Sequence, residues 1–169
     1  MKDRFFEKVS FEEFKKTIKD DKELYNSYLL PSRKTKYSAG YDLISILDYS
    51  IEPGERLLIP TGYKAKYLDD EMLMIVVRSS VGVKYNVRLS NQVGIIDSDY
   101  YNNPSNEGHI FVSLANEGNE TFYIKKGTAY AQGIFVKYLT CDDTVIPDRV
   151  GGFGSTNRKE EEKWKKNFI

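Results

Sequence analysis

Short apolar runs separated by turn residues fill the middle of this 169-residue chain. Between Ala39 and Leu139 the runs are rich in Val, Ile, Tyr and Phe, the residues that fit a half-buried pleated strand. The sequences that separate them favour tight turns: Pro53-Gly54, Thr61-Gly62, Glu117-Gly118-Asn119 and Lys126-Gly127. This pattern predicts an all-β fold, either a compact β-barrel or a jelly roll.

Two of the runs also predict how individual strands are buried. Ile110, Val112 and Leu114 alternate with other residues, as in a strand with two unlike faces. The run from Met72 to Val77 is apolar throughout, which is typical of a strand covered on both faces. The first strand is therefore expected to have one buried face, and the second to have two.

A helix is predicted ahead of the strands. Ser10 followed by Glu13 matches a capping box, so the helix is expected to begin at about Phe11. It is expected to end near Asp20-Asp21, because acidic side chains are unfavourable at the negative end of the helix dipole. The chain thus opens with a short helical segment.

Length and charge limit the classes of function. The chain suffices for one domain with its own core. Lys plus Arg equals Asp plus Glu at 25 each, so no overall field attracts it to nucleic acid or to an acidic membrane surface. The lone Cys141 cannot form an internal disulfide, the N-terminus is charged where a secretory signal is apolar, and no apolar run approaches the roughly 20 residues of a membrane span. We expect a cytoplasmic protein that binds neither nucleic acid nor membranes.

The segment from Gly94 to Tyr100 places two carboxylates and an aromatic ring just after an apolar run. Alternate residues of an extended chain point to opposite faces, so at most one of Asp97 and Asp99 is expected to face a ligand. Taken alone, the segment is typical of a solvated turn whose Asp side chains bond to the local backbone. Asn91, six residues before Asp97, is by itself typical of a loop cap.

Two further segments contain groups suited to phosphate. Arg78-Ser79-Ser80 follows the apolar strand and combines a planar fork of donors with hydroxyl groups. The run from Gly151 to Asn157 has consecutive glycines, which let backbone amides approach an anion closely, and adjacent hydroxyl donors. A flexible linker is the simpler interpretation of the second segment, but Phe153 is unusual in a linker.

Together with two other segments, these resemble the sequence motifs of the dUTPase family, in the family's order. The five segments are Ala39–Leu43, Arg78–Ser80, Asn91 with Gly94–Tyr100, Gly127–Gln132 and Gly151–Thr156. The likeness covers roughly residues 31–157 and is greatest to bacterial or phage-type members. It implies a β-clip barrel or jelly roll over 31–147, a helical extension over 1–30, and a mobile C-terminal arm and tail over 148–169.

The resemblance implies a role for each residue near the hairpin. Asp97 would be the general base that activates a water to attack the α-phosphorus of dUTP, giving dUMP and pyrophosphate. Tyr100 would lie against the deoxyribose, where a 2′-hydroxyl would clash. Asn91 and the main chain of Gly94 and Ile96 would read the uracil by hydrogen bonds. Such an enzyme limits uracil in DNA and supplies dUMP for thymidylate synthesis.

The remaining roles implied by the resemblance concern the triphosphate. Residues expected to contact it are Arg78, Ser79, Ser80, Gln132 and Arg149. In the C-terminal arm, Phe153 would stack on the uracil, and Gly154, Ser155 and Thr156 would close over the phosphates. Asp42 would support Mg²⁺ indirectly through water, with the metal held mainly by substrate phosphates. The family resemblance also implies a homotrimer whose active sites are each assembled from three chains.

One departure leaves alternatives open. Ser80 stands where the commoner dUTPase pattern has Gly, and Arg-Ser-Ser before an apolar residue and Gly also resembles the dCTP deaminases, which share the fold. Those enzymes place a Glu in the segment that corresponds to Asn91–Tyr101, whereas the nearest Glu here is Glu107. A dCTP deaminase, or a bifunctional deaminase and dUTPase, is therefore the second hypothesis. A third is a dUTP-binding regulator, or a phage-type protein that binds a host protein through its terminal segments.

Overall fold

A computed structural model describes residues 3–141, and it confirms the predicted all-β fold of jelly-roll type. The strands are β1 Phe5–Lys8, β2 Tyr41–Ile44, β3 Tyr49–Ile51, β4 Arg56–Pro60, β5 Tyr63–Lys66, β6 Glu71–Val77, β7 Val87–Leu89, β8 Gly94–Asp97, β9 Phe111–Asn116, β10 Phe122–Ile124 and β11 Ala129–Lys137. The helices are α1 Phe11–Thr17, α2 Lys22–Ser27 and α3 Ser79–Tyr85. Each of the four turn sequences lies between two consecutive strands, as predicted.

The strands of the described region group into four antiparallel sheets. The largest has the order β2-β11-β6-β8, and a three-stranded sheet has the order β4-β9-β7. Two-stranded pairs, β1 with β5 and β10 with β3, complete the set. Residues from all four sheets contribute to one buried apolar cluster. None of the helices within residues 3–141 is long and apolar enough to cross a membrane.

The two strand predictions have different outcomes. In β9 the alternation is confirmed, because Val112 and Leu114 are buried while Phe111 and Ser113 are only half-buried. In β6 the buried residues also alternate: Leu73 and Ile75 face the core, whereas the intervening side chains are half-buried. A single chain thus covers only one face of this apolar strand. We refer below to the other face of the four-stranded sheet as the outer face.

The predicted N-terminal helix is confirmed as α1, which begins at Phe11 as predicted but ends at Thr17, before the expected end near Asp20-Asp21. Ser10 is its N-cap, and the Ser10 side chain accepts a hydrogen bond from the Glu13 main-chain nitrogen. The reciprocal half of the capping box is replaced, because Glu107 accepts from the Ser10 nitrogen at 2.9 Å. Burial would raise the pKa of Glu107, but hydrogen bonds from Ser10 and the nearby Lys64 hold it below its ordinary value.

The region after α1 contains a second helix that the sequence pattern did not predict. Asp21 is the N-cap of α2, and its carboxylate accepts from the Leu24 nitrogen at 2.9 Å. An acidic residue that follows a helix can therefore be the N-cap of the next helix, and it need not mark the end of the first. The described residues before position 31 share the main core, since Val9, Phe14, Leu24 and Tyr28 belong to its buried cluster.

The only His of the chain ties α1 to the strands. His109 is completely buried, and its Nε2 accepts a hydrogen bond from the Gly62 nitrogen at 2.9 Å. Its Nδ1 therefore carries the proton and lies 3.1 Å from the Glu13 carboxylate. Burial lowers the pKa of His109, against the opposing effect of Glu13. His109 thus links the Glu13 side chain of α1 to the main chain of the turn between β4 and β5.

Candidate active site

The segment that resembles the substrate hairpin connects two sheets. Strand β8 pairs with β6, whereas β7 pairs with β9, so residues 90–93 pass from one sheet to the other. The turn is held by hydrogen bonds from the Gln92 nitrogen to the Leu89 oxygen and from the Ser90 nitrogen to the Ser113 oxygen. Strand β8 is the last strand of its sheet in the described region. One side of its main chain can therefore bond to a ligand instead of a neighbouring strand.

A pocket of about 150 Å³ opens at this turn. It is lined by Ile75, Leu89, Asn91, Gly94, Ile95, Ile96, Phe111, Val112 and Ser113. An apolar cavity of this size holds one six-membered ring. The polar groups among these apolar walls are the Asn91 and Ser113 side chains and the main chain of β8, a combination typical of a site that orients a small planar ligand. The structure thus brings three predicted base-reading residues, Asn91, Gly94 and Ile96, to one pocket.

Asp97 ends β8 and is exposed. It lies directly opposite Met72 on β6, which places its side chain on the outer face of the sheet. Its backbone is extended, with φ −81° and ψ 155°, and a 3-10 turn follows over Ser98–Tyr100. Asp99 belongs to that turn, so the alternation expected of an extended chain does not continue beyond Asp97.

Tyr100 is almost fully buried in the single chain, with 3% of its surface exposed. Its hydroxyl donates to the His109 oxygen at 3.1 Å and accepts from the Asn106 side chain at 2.7 Å. The phenol oxygen therefore bonds to the protein interior. A contact with deoxyribose would involve the ring rather than the hydroxyl.

Asp42, Gln132 and Arg78 form a second polar group at the other end of the four-stranded sheet. Gln132 on β11 lies directly opposite Asp42 on β2 and Val76 on β6. Arg78 follows β6, and its Nε is 3.4 Å from Asp42 Oδ1. The other oxygen, Asp42 Oδ2, is buried and accepts no hydrogen bond from the described residues. Three residues predicted to act at the phosphate or metal region are thus brought together.

A glycine permits this arrangement. A Cβ added at Gly40 would lie 2.0 Å from the Gln132 Oε1 atom and 2.8 Å from its Cδ. Both distances are too short for any real contact, so a larger residue would displace the Gln132 side chain. Gly40 precedes β2 directly and belongs to the Ala39–Leu43 motif. The glycine of this motif therefore makes room for the Gln132 side chain, which lies more than ninety residues further along the chain.

Ser79 and Ser80 open α3 and are both exposed. Arg78 is the N-cap residue of this helix, without a side-chain capping bond. Its main-chain nitrogen donates instead to the Tyr130 oxygen at 3.3 Å, which fixes the start of α3 against β11. The two serines thus directly follow Arg78, the residue that pairs with Asp42.

A single chain does not bring the two groups together. One group is Asp97 at the end of β8, and the other contains Gln132. Asp97 lies opposite Met72 and Gln132 opposite Val76, so the two positions are four residues apart along β6. Across the sheet, β8 and β11 are separated by β6. With a rise of about 3.3 Å per residue and a strand spacing of about 4.8 Å, the two backbone positions are roughly 16 Å apart. Asp97 and Gln132 of the same chain are therefore not placed around one α-phosphate.

The structure also identifies residues near the site that the motifs did not indicate. Lys34 Nζ is 3.8 Å from Asp42 Oδ2, and the Tyr67 hydroxyl bonds to the main chain of Ile96 and Asp97. Tyr63, Ala65 and Tyr67 are all buried, so the alternation of β5 could have indicated an inward-facing Tyr67. Its partner could not have been found from spacing, because the bond joins residues about thirty positions apart.

Some predicted residues lie outside the described residues: Arg149, Phe153, Gly154, Ser155 and Thr156. Within residues 3–141, no group of three or more His, Cys, Asp or Glu residues could hold a metal ion. Asp42 nevertheless has the buried carboxylate oxygen without a hydrogen-bond donor described above. The Glu107 carboxylate is engaged with Ser10 at the start of α1.

Comparisons with known proteins identify the family of this chain. The family model for dUTPases matches residues 26–161. A deoxyuridine 5'-triphosphate nucleotidohydrolase from Lactococcus lactis subsp. lactis is 45% identical over 130 residues, which cover 75% of this chain and 87% of that protein. A crystal structure of a dUTPase from Streptococcus mutans is 38% identical, has a TM-score of 0.66, and covers 82% of this chain and 98% of its own.

A more distant structure shares the fold alone. The dUTPase of phage phi11 of S. aureus, whose structure is described for its coordination of a structural Mg(II) ion, is 20% identical with a TM-score of 0.63. The match covers 85% of this chain and 95% of that chain. With the family model spanning most of the sequence and a curated relative at 45% identity, this chain belongs to the dUTPase family.

Proposed function

We propose that this protein hydrolyses dUTP to dUMP and pyrophosphate, with Asp97 as the general base. The observation that carries the proposal is the position of Asp97 at the end of β8, the strand whose main chain borders the pocket beside Asn91. A base held in that pocket puts its sugar and α-phosphate near the end of the strand. An exposed carboxylate there is in reach of a water that attacks the phosphorus.

In the proposed reaction, Asp97 accepts a proton from a water while the water oxygen bonds to the α-phosphorus. The bond from the α-phosphorus to the oxygen that bridges to the β-phosphate breaks, and pyrophosphate leaves. Arg78, Ser79 and Arg149 would offset the charge that develops on the phosphate oxygens, since guanidinium and hydroxyl donors suit them. Gln132, next to Asp42, would bond to the phosphates or to the attacking water.

Uracil would be recognised by the main chain of β8 and by Asn91. The fixed donors and acceptors of a strand edge distinguish uracil from cytosine, because a buried polar group left unpaired costs about 1–3 kcal/mol. An apolar pocket discriminates one methylene by only about 1–3 kcal/mol, so exclusion of thymine would need a direct clash between its methyl group and the pocket wall. Phe153 of the C-terminal arm would cover the base, and Gly154, Ser155 and Thr156 would close over the phosphates.

The carboxylate of Asp42 suits a site in which Mg²⁺ is held mainly by the substrate phosphates. A hard cation that keeps several waters needs few protein carboxylates when phosphates supply oxygen ligands. Asp42 Oδ2, which is buried without a hydrogen-bond donor, is suited to accept from a metal-bound water. Mg²⁺ would supply charge neutralisation at the phosphates.

The proposed active unit is a homotrimer with sites shared between chains. Two observations support it. The outer face of the sheet carries half-buried or exposed apolar side chains, among them Met74, Ile95 and Ile134, and an apolar sheet face of this kind is normally covered by another layer. In addition, roughly 16 Å separate Asp97 from Gln132 within one chain. A site made of both would need the Asp97 of one chain and the Gln132 of another.

A substrate panel tests the activity. The purified protein is incubated with Mg²⁺ and separately with dUTP, dCTP, dTTP or UTP, while pyrophosphate and ammonia are followed together. We expect pyrophosphate from dUTP alone. Ammonia from dCTP would instead support the deaminase hypothesis suggested by Ser80, and binding of dUTP without release of either product would support a regulatory protein.

The base assignment has its own test. Asp97→Asn keeps the size and hydrogen-bonding shape of the side chain but removes its basicity. We expect turnover to be abolished while a non-hydrolysable α,β-imido analogue of dUTP still binds. Hydrolysis of dUTP at the parent rate by Asp97→Asn would show that another group acts as the base.

A further inference from the structure

We propose that Tyr67 is a positioning residue for the general base, and this inference depends on the proposed role of Asp97. Its hydroxyl oxygen lies 2.7 Å from the Ile96 carbonyl oxygen and 3.0 Å from the Asp97 carbonyl oxygen. A hydroxyl has one proton, so the two carbonyls share it. The two acceptors lie on either side of the Asp97 Cα atom.

This geometry fixes the backbone of Asp97. The Ile96 carbonyl belongs to the peptide group before the Cα atom, and the Asp97 carbonyl to the one after it. A donor that holds both peptide groups limits rotation about φ and ψ, which are −81° and 155°. The direction of the carboxylate then depends mainly on the side-chain torsions. The same hydroxyl holds the Ile96 end of the strand that borders the pocket.

Tyr67 is itself held rigidly. It is buried with 1% of its surface exposed, and its ring packs against Phe135, at 5.5 Å between ring centroids. Phe135 packs against Phe6 of β1 and Tyr41 of β2, with centroids at 5.3 and 5.6 Å. The ring thus rests on a cluster of aromatic side chains from three strands. Burial raises the pKa of Tyr67, so the hydroxyl keeps its proton at neutral pH.

The bond has a specific consequence for catalysis. Loss of the hydroxyl removes the bond that holds the end of β8 beside the turn over Ser98–Tyr100, while the pairing of β8 with β6 remains. The chemical step requires the carboxylate at one position relative to the attacking water, and small displacements there lower the rate. Base recognition draws on several groups at once. The turnover number should therefore fall more than affinity does.

Tyr67→Phe tests this inference with Tyr63→Phe as a matched control. Tyr63 is also 1% exposed, and its hydroxyl also lies near two carbonyl oxygens, those of Leu29 and Ile44 at 2.8 and 3.3 Å. Neither acceptor borders the pocket or Asp97. Both variants lose the same group from the same degree of burial, so their melting temperatures should fall by similar amounts.

The expected result separates kcat from binding. In Tyr67→Phe, kcat for dUTP should fall about tenfold, whereas KM and the affinity for the α,β-imido analogue change less than threefold. Tyr63→Phe should keep the parent kcat. Assays are run well below the lower of the two melting temperatures, so both variants are folded. A parent kcat in Tyr67→Phe, or an equal fall in both variants, would overturn the inference.

Asp97→Asn distinguishes this failure from failure of the proposed function. If Asp97→Asn is inactive and Tyr67→Phe has the parent kcat, Asp97 is the base but does not depend on Tyr67. If Asp97→Asn itself retains activity, the base assignment is wrong, and the positioning role is rejected with it.

Discussion

Asp97 and Gln132 lie on the same face of the four-stranded sheet but toward opposite ends of it. Asp97 is opposite Met72 at the start of β6, and Gln132 is opposite Val76 near its end. Half-buried apolar side chains, including Met74, separate the two positions. Within one chain, Asp97 and the polar group around Gln132 are thus too far apart to act on one phosphate together.

Complementation between inactive variants tests the shared site. Asp97→Asn leaves Arg78 intact, and Arg78→Ala leaves Asp97 intact. If sites are shared, a mixed oligomer contains some sites that receive an intact Asp97 from one chain and an intact Arg78 from another. After co-refolding in equal amounts, about a quarter of the sites should regain both residues by random assortment. The measurement is dUTP hydrolysis before and after mixing.

The control mixes Asp97→Asn with Asn91→Ala. These two residues lie on the same β7–β8 segment of one chain, so no mixed site receives both intact from different chains. No recovery is expected there. Recovery in the control, or none in the first mixture, would contradict a site divided between the two groups.

Gly40→Ala should disturb the polar group formed by Asp42, Gln132 and Arg78, although residue 40 itself would not contact the substrate. The added Cβ would occupy the space of the Gln132 amide, 2.0 Å from its oxygen, and displace it from Asp42. We expect kcat/KM for dUTP to fall about tenfold. If the effect acts through Gln132, then adding Gly40→Ala to Gln132→Ala should lower kcat/KM little further, because the two changes remove the same interaction. Steady-state kinetics of the two single variants and the double variant measure this, and fully additive losses would show that Gly40 acts otherwise.

Stability should fall as the pH drops from about 7 toward 5, because of His109. Burial lowers its pKa in the folded state below the ordinary value of about 6.5. In that range the unfolded chain binds a proton that the folded chain does not, so stability rises with pH. The contribution is fully present above the unfolded pKa and is lost as the pH falls toward the folded one.

Melting temperatures between pH 5 and 8 measure this effect. The chain contains one His, so no second imidazole contributes. His109→Gln keeps a polar side chain at the site, and its melting temperature should vary less over the same range. An equal pH dependence in the variant would assign the effect to carboxylates instead.

Phe6→Ala should destabilise the protein by about 3 kcal/mol, as expected for a buried aromatic residue. Phe6 is buried against Tyr41 and Phe135, whereas its neighbour Phe5 is half-buried and contacts Tyr101. Phe5→Ala is therefore a matched control with a smaller expected loss. Denaturant midpoints give the comparison, and equal effects would mean that β1 is not anchored by Phe6.

The local motifs allowed several features to be predicted from sequence because neighbouring residues determine them. The hydroxyl of Ser10 three residues before Glu13 is enough to start α1, and the alternation around Val112 is enough to orient β9. Asp21 shows the limit of such patterns. It caps α2, but an acidic residue at that position also fits the end of the preceding helix.

Sequence by itself determined the class of fold and the position of the first helix, since each depends on residues close together in the chain. The candidate site residues were named by the resemblance of five sequence segments to the dUTPase motifs. Tertiary structure decided which of those residues meet. It placed Gln132 beside Asp42 and apart from Asp97, and it brought the Tyr67 hydroxyl to the backbone of Asp97. These contacts depend on strand order and register, which arise from burial of the whole core and not from the spacing of any motif.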